Sequence, residues 1–329
     1  MNAQLTPFSA LTPNKILSAL DSVGLHSDGR LLALNSYENR VYQIGIENSE
    51  PVVTKFYRPD RWTTVAILEE HSFIQELADS EIPVVPPLRL CENKTLNHID
   101  GFRFSVFPRQ SGRVPEIEGR EKLEWMGRFI GRIHAIGALK PFKERQPLNI
   151  IHFGDEPRDY LLKHDFIPAD LFSAYSSVSA YALDSVKRCF ERAGTVKTLR
   201  LHGDCYQGNI LWADDGPHFV DFDDSRMGPA IQDLWMLLSG DRTEMTIQLN
   251  YLLAGYQTFY DFNMRELHLL EPLRTLRLIH YSAWIAKRWD DPAFPMAFPW
   301  FNTPRYWQDR IIELREQIAL MDEEPLGAS

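Results

Sequence analysis

Two periodicities divide this chain. From about Leu31 to Tyr57 the residues alternate, with Tyr42, Ile44 and Ile46 on one side of an extended chain and Val41, Gln43 and Gly45 on the other. Val52-Val53-Thr54-Lys55-Phe56 resumes the strand pattern after a loop. Before it, Thr12-Pro13 supplies an N-cap and a first-turn proline for a short helix over Ile16, Leu17 and Leu20 that ends near Gly24. After it, a helix is expected to start near Thr63 or Thr64. It runs through Ile67, Phe73, Ile74 and Leu77 to the proline-rich break at Pro83-Val84-Val85-Pro86-Pro87. Phe102 to Pro108 reads as one more strand, and Arg109 to Pro115 is polar and rich in turn formers. Beyond that point the period changes to 3.6. Leu123, Met126, Phe129, Ile130, Ile133 and Ile136 form one helical stripe, and further stripes cover Leu171 to Phe190, Met245 to Phe259, Met264 to Trp289 and Tyr306 to Met321. His134, on the first stripe, reads as a hydrogen-bonded core histidine. No internal repeat or low-complexity tract interrupts this order.

A length of 329 residues is enough to bury a large core and to build two lobes. The formal charge of −10 and a pI near 5.5 argue against nucleic acid or an anionic membrane as partner, since both call for a basic face. Cys91, Cys189 and Cys205 have no metal-ligand spacing and form an odd set, as expected of free thiols in a reducing cytoplasm. There is no basic segment followed by an apolar stretch at the N-terminus and no run of about eighteen apolar residues. A soluble, cytoplasmic monomer is the expectation.

The chemistry concentrates in Leu201-His202-Gly203-Asp204, Asn209-Ile210-Leu211 and Phe219-Val220-Asp221-Phe222-Asp223. Phosphoryl transfer asks little covalent chemistry of a protein. It needs a carboxylate to orient the attacking hydroxyl and hard oxygen ligands for Mg²⁺ beside the phosphates. Asp204 suits the first task, and Asn209 with Asp221 the second. Ile210-Leu211-Trp212 and His218-Phe219-Val220 flank Asp214-Asp215-Gly216-Pro217, a hairpin signal that returns Asp221 to the end of the strand where Asn209 lies. A bare His-Gly-Asp turn with a solvated acidic cluster is the plainer alternative, and the combined spacing outweighs it.

These residues resemble the protein-kinase-like superfamily on its aminoglycoside phosphotransferase and choline kinase side, where His-Gly-Asp stands in place of His-Arg-Asp. Leu34 to Tyr42, Lys55-Phe56-Tyr57-Arg58-Pro59, Gln232-Asp233-Leu234-Trp235 and Asp291 to Pro295 narrow the likeness to a bacterial family of stress-response serine/threonine kinases, over almost the whole length. The resemblance implies a bilobal α+β kinase-like fold. Residues 1–107 would form a nucleotide-binding lobe with a small antiparallel sheet, and residues 108–329 a catalytic, mainly helical lobe, with ATP and Mg²⁺ in the cleft.

It also implies roles. Asp204 and Asp221 would be catalytic, and Asn209 and Asp221 would hold Mg²⁺. Lys55 would contact the α and β phosphates and pair with a glutamate on the following helix. Glu70 is favoured there because it shares a face with Ile67 and Ile74, and Glu69 is the alternative. A lysine on an edge strand is the plain reading of Lys55. Backbone groups near Val106 and Pro108 would meet the adenine edge. The phosphate-covering loop is the poorest match, because Asn35-Ser36-Tyr37-Glu38-Asn39 lacks glycine. Ser36 is its candidate contact, against an ordinary polar turn. Asp233 would accept hydrogen bonds from the catalytic-loop backbone, or simply serve a helix first turn.

The short span from Asp221 to Asp233 leaves no room for a long activation segment, so no phosphorylation switch is expected there. The acceptor is expected to be Ser or Thr of protein substrates, the chain itself included. A small-molecule kinase acting on a choline, sugar or aminoglycoside-type hydroxyl is the alternative, and a nucleotide-binding scaffold is disfavoured by the complete motif set. Asp223, Asp224 and the aromatic residues Trp284, Trp289, Phe294, Phe298, Trp300 and Trp307 either line an acceptor groove or pack helices.

Overall fold

The computed structural model of the chain describes residues 6–214 and 216–327. In chain order the first elements are α1 (Pro13–Asp21), β1 (Ser27–Leu34), β2 (Arg40–Ile46), β3 (Val52–Phe56), α2 (Thr64–Asp79), β4 (Asn97–Ile99), β5 (Phe102–Pro108) and α3 (Arg120–Gly137). There follow α4 (Glu156–Lys163), α5 (Ala169–Ala193), β6 (Leu199–Leu201), β7 (Ile210–Ala213), β8 (Gly216–Phe219) and β9 (Arg226–Gly228). Last come α6 (Ile231–Trp235), α7 (Arg242–Tyr256), α8 (Leu270–Ala286), α9 (Ala293–Ala297) and α10 (Pro304–Asp322). They belong to two compact units: Met1–Pro115 with Lys143–Arg145 and Gly208–Asp223, and the remainder.

In the first unit an antiparallel sheet runs β1-β2-β3-β5-β4. Both flanking helices start where their caps dictate. The Thr12 hydroxyl accepts the Lys15 N–H (3.3 Å), with Pro13 at the first helical position, and the Thr63 hydroxyl accepts that of Ala66 (3.1 Å). Helix α1 buries Ile16, Ala19 and Leu20 in a cluster with Ile44, Phe56, Phe104 and Val106 from the sheet. Each of the larger side chains contributes about 1.5–3 kcal/mol on burial. The β7–β8 hairpin pairs Ile210 with Phe219; of its expected turn, Asp215 lies outside the described residues.

The second unit is helical around one two-stranded ladder, β6 with β9. Of the stripe read from the sequence, helix α3 buries Leu123, Met126, Ile130 and Ile133, while Phe129 and Ile136 are half-buried. Glycines let α3 and α7 approach closely: a Cβ on Gly127 would sit 2.0 Å from the Leu252 carbonyl oxygen. A capping box, Asp241 with Glu244, starts α7. The stretch Met264 to Trp289 is divided, with a 3₁₀ segment over Met264–Leu269 ahead of α8. A π-helical turn over Ile151–Asp155 leads into α4, and neither was foreseen from the sequence. Among the described residues no helix is long and apolar enough to cross a membrane.

Candidate active site

Strand β3 lies between β2 and β5, so Lys55 faces Val41 on one side and Ser105 on the other and is buried. It is not an edge lysine. Its Nζ stands 2.9 Å from Asp221 Oδ1, 3.2 Å from Asp223 Oδ1 and 3.9 Å from Glu70 Oε1. Burial alone would discharge an ammonium, but the three carboxylates, Asp221 foremost, hold its pKa well above the usual lysine value. Burial pushes the Glu70 carboxyl up to about 7, and Lys55 and Arg145 oppose that rise.

Of the two glutamates, Glu70 stands against Lys55. Glu69 turns away, and its carboxylate accepts the backbone N–H groups of Lys143 (2.7 Å), Glu144 (3.0 Å) and Arg145 (3.3 Å).

The hairpin base holds Asn209 next to the residue before Asp221: the Val220 N–H donates to the Asn209 carbonyl oxygen at 3.0 Å. Asp221 adopts a left-handed conformation, φ 59°, uncommon for a non-glycine residue. Strain of that kind persists where surrounding contacts over-determine it, and is frequent at functional sites. The Asp221 side chain is 55% exposed, whereas that of Asp223 is 4% exposed. A carboxylate open to solvent, with a residue carrying an amide oxygen at the same hairpin base, offers donor types that suit a hard divalent cation retaining water ligands.

The glycine-free loop is held by arginines. Arg40 donates to the Tyr37 and Asn39 carbonyls (3.1 and 3.2 Å) and Arg58 Nε to that of Glu38 (2.9 Å), while Asn39 Oδ1 accepts the Arg58 N–H (3.0 Å). The Glu38 carboxylate pairs with Arg58 at 3.0 Å and Arg61 at 3.7 Å, and Arg61 is also paired with Asp223. Ser36 is half-buried within this loop. Val106 is buried in β5 and its carbonyl accepts the Leu88 N–H (2.7 Å); Pro108 ends the strand, exposed, opposite Val52.

Asp204 belongs to the helical unit. Strand β6 delivers the His202-Gly203 backbone to Asp233, whose carboxylate accepts the His202 N–H (2.8 Å) and the Gly203 N–H (2.9 Å). His134 completes the anchor, with Nε2 3.0 Å from Asp233 Oδ2 and Nδ1 2.8 Å from the Tyr256 hydroxyl. It is a fully buried, hydrogen-bonded core histidine, and through Asp233 it also supports the His202-Gly203 backbone. Gly203 has φ 88°, and a Cβ there would lie 2.1 Å from the Asp224 carbonyl oxygen. No other residue fits the middle of the triplet.

Asp204 Oδ1 accepts from Arg277 Nη1 on α8 at 2.8 Å. Burial raises the Asp204 pKa, with Arg277 pulling the other way and Asp224 adding to the rise.

No signal in the sequence marks the partners of these groups: Arg61 and Arg145 beside Asp223 and Glu70 in the sheet unit, and Arg277 on Asp204 in the helical unit. Asp223 is neither in an exposed acidic cluster nor open for an acceptor groove: its side chain is buried on Lys55 and Arg61. The aromatic residues mainly pack helices: Phe294 and Trp307 are fully buried, and Trp284 lies edge-on to Phe294 and Phe298. Only Trp300 among them is exposed.

Comparison with known proteins agrees with this geometry. Residues 30–270 match the phosphotransferase enzyme family. Stress response kinase A of Escherichia coli K12 is 43% identical over 326 residues, 99% of this chain and 98% of its own. Serine/threonine protein kinase RdoA of Salmonella typhimurium is 42% identical over the same shares. Among solved structures, an amicoumacin kinase, hAmiN, in complex with AMP-PNP, Ca²⁺ and Ami superposes with a TM-score of 0.73 at 19% identity, covering 95% of each chain. A microcompartment-associated aminopropanol kinase gives 0.69 at 16% identity, covering 93% of this chain and 96% of its own. The fold is the α+β kinase-like one, with a small antiparallel sheet in one unit and helices dominating the other. The chain belongs to the phosphotransferase enzyme family, within which it is similar along nearly its whole length to the stress response kinase A proteins.

Proposed function

We propose that the protein is an ATP- and magnesium-dependent serine/threonine protein kinase of a bacterial stress response, acting in the cytoplasm on protein hydroxyls, its own included. The observation that carries the phosphotransferase part is the Lys55 cluster: a buried ammonium held by Glu70 and facing Asp221, beside Asn209. Lys55 draws the α and β phosphates of ATP, while Glu70 fixes its direction. Asn209 and Asp221 hold Mg²⁺, which when bound neutralises charge building on the transferred phosphoryl group.

Asp204 orients the acceptor hydroxyl and takes its proton. The Asp233 anchor sets the backbone on either side of Gly203, so the Asp204 carboxylate is presented without rearrangement. The loop at Ser36, stiffened by Arg40 and Arg58, offers the Ser36 hydroxyl and N–H to the phosphates, and backbone groups at the end of β5, near Val106 and Pro108, meet the adenine edge. The preference for a protein acceptor rests on full-length identity with relatives whose names include serine/threonine protein kinase.

Purified protein with γ-labelled ATP and Mg²⁺ is expected to label itself or a generic basic protein on Ser or Thr without prior activation. Robust turnover on a choline-, sugar- or aminoglycoside-like acceptor, with labelled protein at background, would replace the acceptor assignment and leave the nucleotide site as described. Asn209→Ala should raise the magnesium concentration needed for half-maximal rate, and an unchanged requirement removes Asn209 from the ligand set.

A further inference from the structure

The tripeptide Lys143–Arg145 follows α3 in sequence, yet it packs as part of the sheet unit. Its backbone is fastened to α2 by the three N–H groups that the Glu69 carboxylate accepts. Arg145 is buried with its guanidinium over the Trp62 ring, 4.1 Å from the centroid. Nη1 donates to the Ala66 carbonyl (2.9 Å) and to Glu70 Oε2 (3.3 Å), and Nη2 donates to the Asp223 carbonyl. One side chain therefore touches the α2 backbone, the carboxylate that faces Lys55, and the turn that carries Asp221.

Only a planar fork of donors can serve three acceptors in these directions, which is what distinguishes arginine from lysine here. Burying a guanidinium is also a poor way to gain stability, since an apolar side chain of similar volume often does as well. The contacts point instead to alignment.

We propose that Arg145 is a positioning residue for nucleotide-phosphate capture. It holds Glu70 towards Lys55 and, through the Asp223 carbonyl, holds the Asp221–Asp223 turn with Asp221 in its left-handed conformation. The phosphate-facing and metal-facing groups are thereby assembled by the chain itself, with no phosphorylation required, consistent with the twelve-residue step from Asp221 to Asp233 that leaves no long activation segment. This rests on the assignment of Lys55, Glu70 and Asp221 given above.

Calorimetric titration with Mg-ADP needs no acceptor and separates the two claims. Phosphatase-treated wild-type protein should bind Mg-ADP with unchanged affinity. Arg145→Lys keeps the charge and loses the fork, and its affinity should fall about 10–100-fold, the usual effect of losing a residue that orients a ligand-bearing group. The KM for the acceptor should stay the same, and the nucleotide-free unfolding temperature should stay near wild type. Glu69→Gln, outside the ion cluster, should shift affinity in the same direction by less, which keeps the test independent of how well either variant folds. Lowered unfolding temperature with unaltered Mg-ADP affinity in both variants would overturn the positioning role, and so would a phosphorylation requirement in the wild type. Wild-type protein that binds no Mg-ADP at all would instead remove the nucleotide-site assignment.

Discussion

Replacing Asp233 by asparagine removes charge from the anchor of the catalytic loop while keeping its volume. The carboxylate is 1% exposed and accepts the His202 N–H, the Gly203 N–H and a bond from His134 Nε2, so both oxygens are committed. An amide supplies one acceptor oxygen and a donor NH₂, so in either orientation one buried N–H faces another donor. Losing a charge-assisted hydrogen bond costs about 1.5–3 kcal/mol, and leaving its partner unsatisfied a further ~1–3 kcal/mol. The sum, about 2.5–6 kcal/mol, is a large fraction of the ~5–15 kcal/mol by which domains are stable. Urea unfolding followed by tryptophan fluorescence should show it as a lower midpoint at unchanged slope. Because Gly203 precedes Asp204, kcat should fall as well, whereas Mg-ADP affinity should hold, since Lys55, Asn209 and Asp221 belong to the other unit. A stability change below about 0.5 kcal/mol, the range of inconsequential surface substitutions, would refute the anchor.

Lys55→Met should abolish transfer and weaken Mg-ADP binding, and it should lower stability in urea unfolding by less than the ~3–5 kcal/mol of an uncompensated buried charge, because Glu70 keeps Arg145 and Asp223 keeps Arg61 as partners. Gly203→Ala should lower both expression and activity, since its Cβ would fall 2.1 Å from the Asp224 carbonyl oxygen at a φ of 88° that alanine avoids; crystals of an unshifted, active variant would disprove the close approach. Glu266 supplies a pH test. Burial pushes its carboxyl up to about 7, opposed by the N–H groups of Ile231 and Ala230, so from its unfolded value near 4.5 up to about 7 the native state binds the extra proton. Its contribution is complete below pH 4.5 and is lost as pH rises towards 7, by up to about 1.4 kcal/mol per pH unit. Glu266→Gln should flatten that decline in urea midpoints measured at pH 5, 6 and 7, and an unaltered slope would count against it.

The residues legible in the sequence were those whose role is written in local spacing. Asp204 and Asn209 are five apart, Lys55 sits in a β-branched and aromatic strand, and Glu70 shares a helical face with Ile67 and Ile74. The cap at Thr12 and the stripe from Leu123 to Ile133 were equally plain, because a helix start and a buried face each leave a short signature. Arg145 leaves none: its partners Glu70 and Asp223 are 75 and 78 residues away. Arg277 lies 73 residues from Asp204, inside an amphipathic helix where an arginine looks like a solvated face. The three-residue strands β4, β6 and β9 escaped for a related reason, since pairing with a distant strand, not propensity, makes them strands. The π-turn at Ile151–Asp155 carries no periodic pattern that would announce it.

The central claim, that Asp204 orients the acceptor hydroxyl while Lys55, Asn209 and Asp221 bind the nucleotide, is tested most directly by γ-phosphate transfer in Asp204→Asn at saturating Mg-ATP, with Mg-ADP affinity measured on the same preparation. The account predicts a rate lower by about 10²-fold or more, the usual contribution of a general base, with nucleotide affinity little changed. Near-normal turnover in that variant would contradict it.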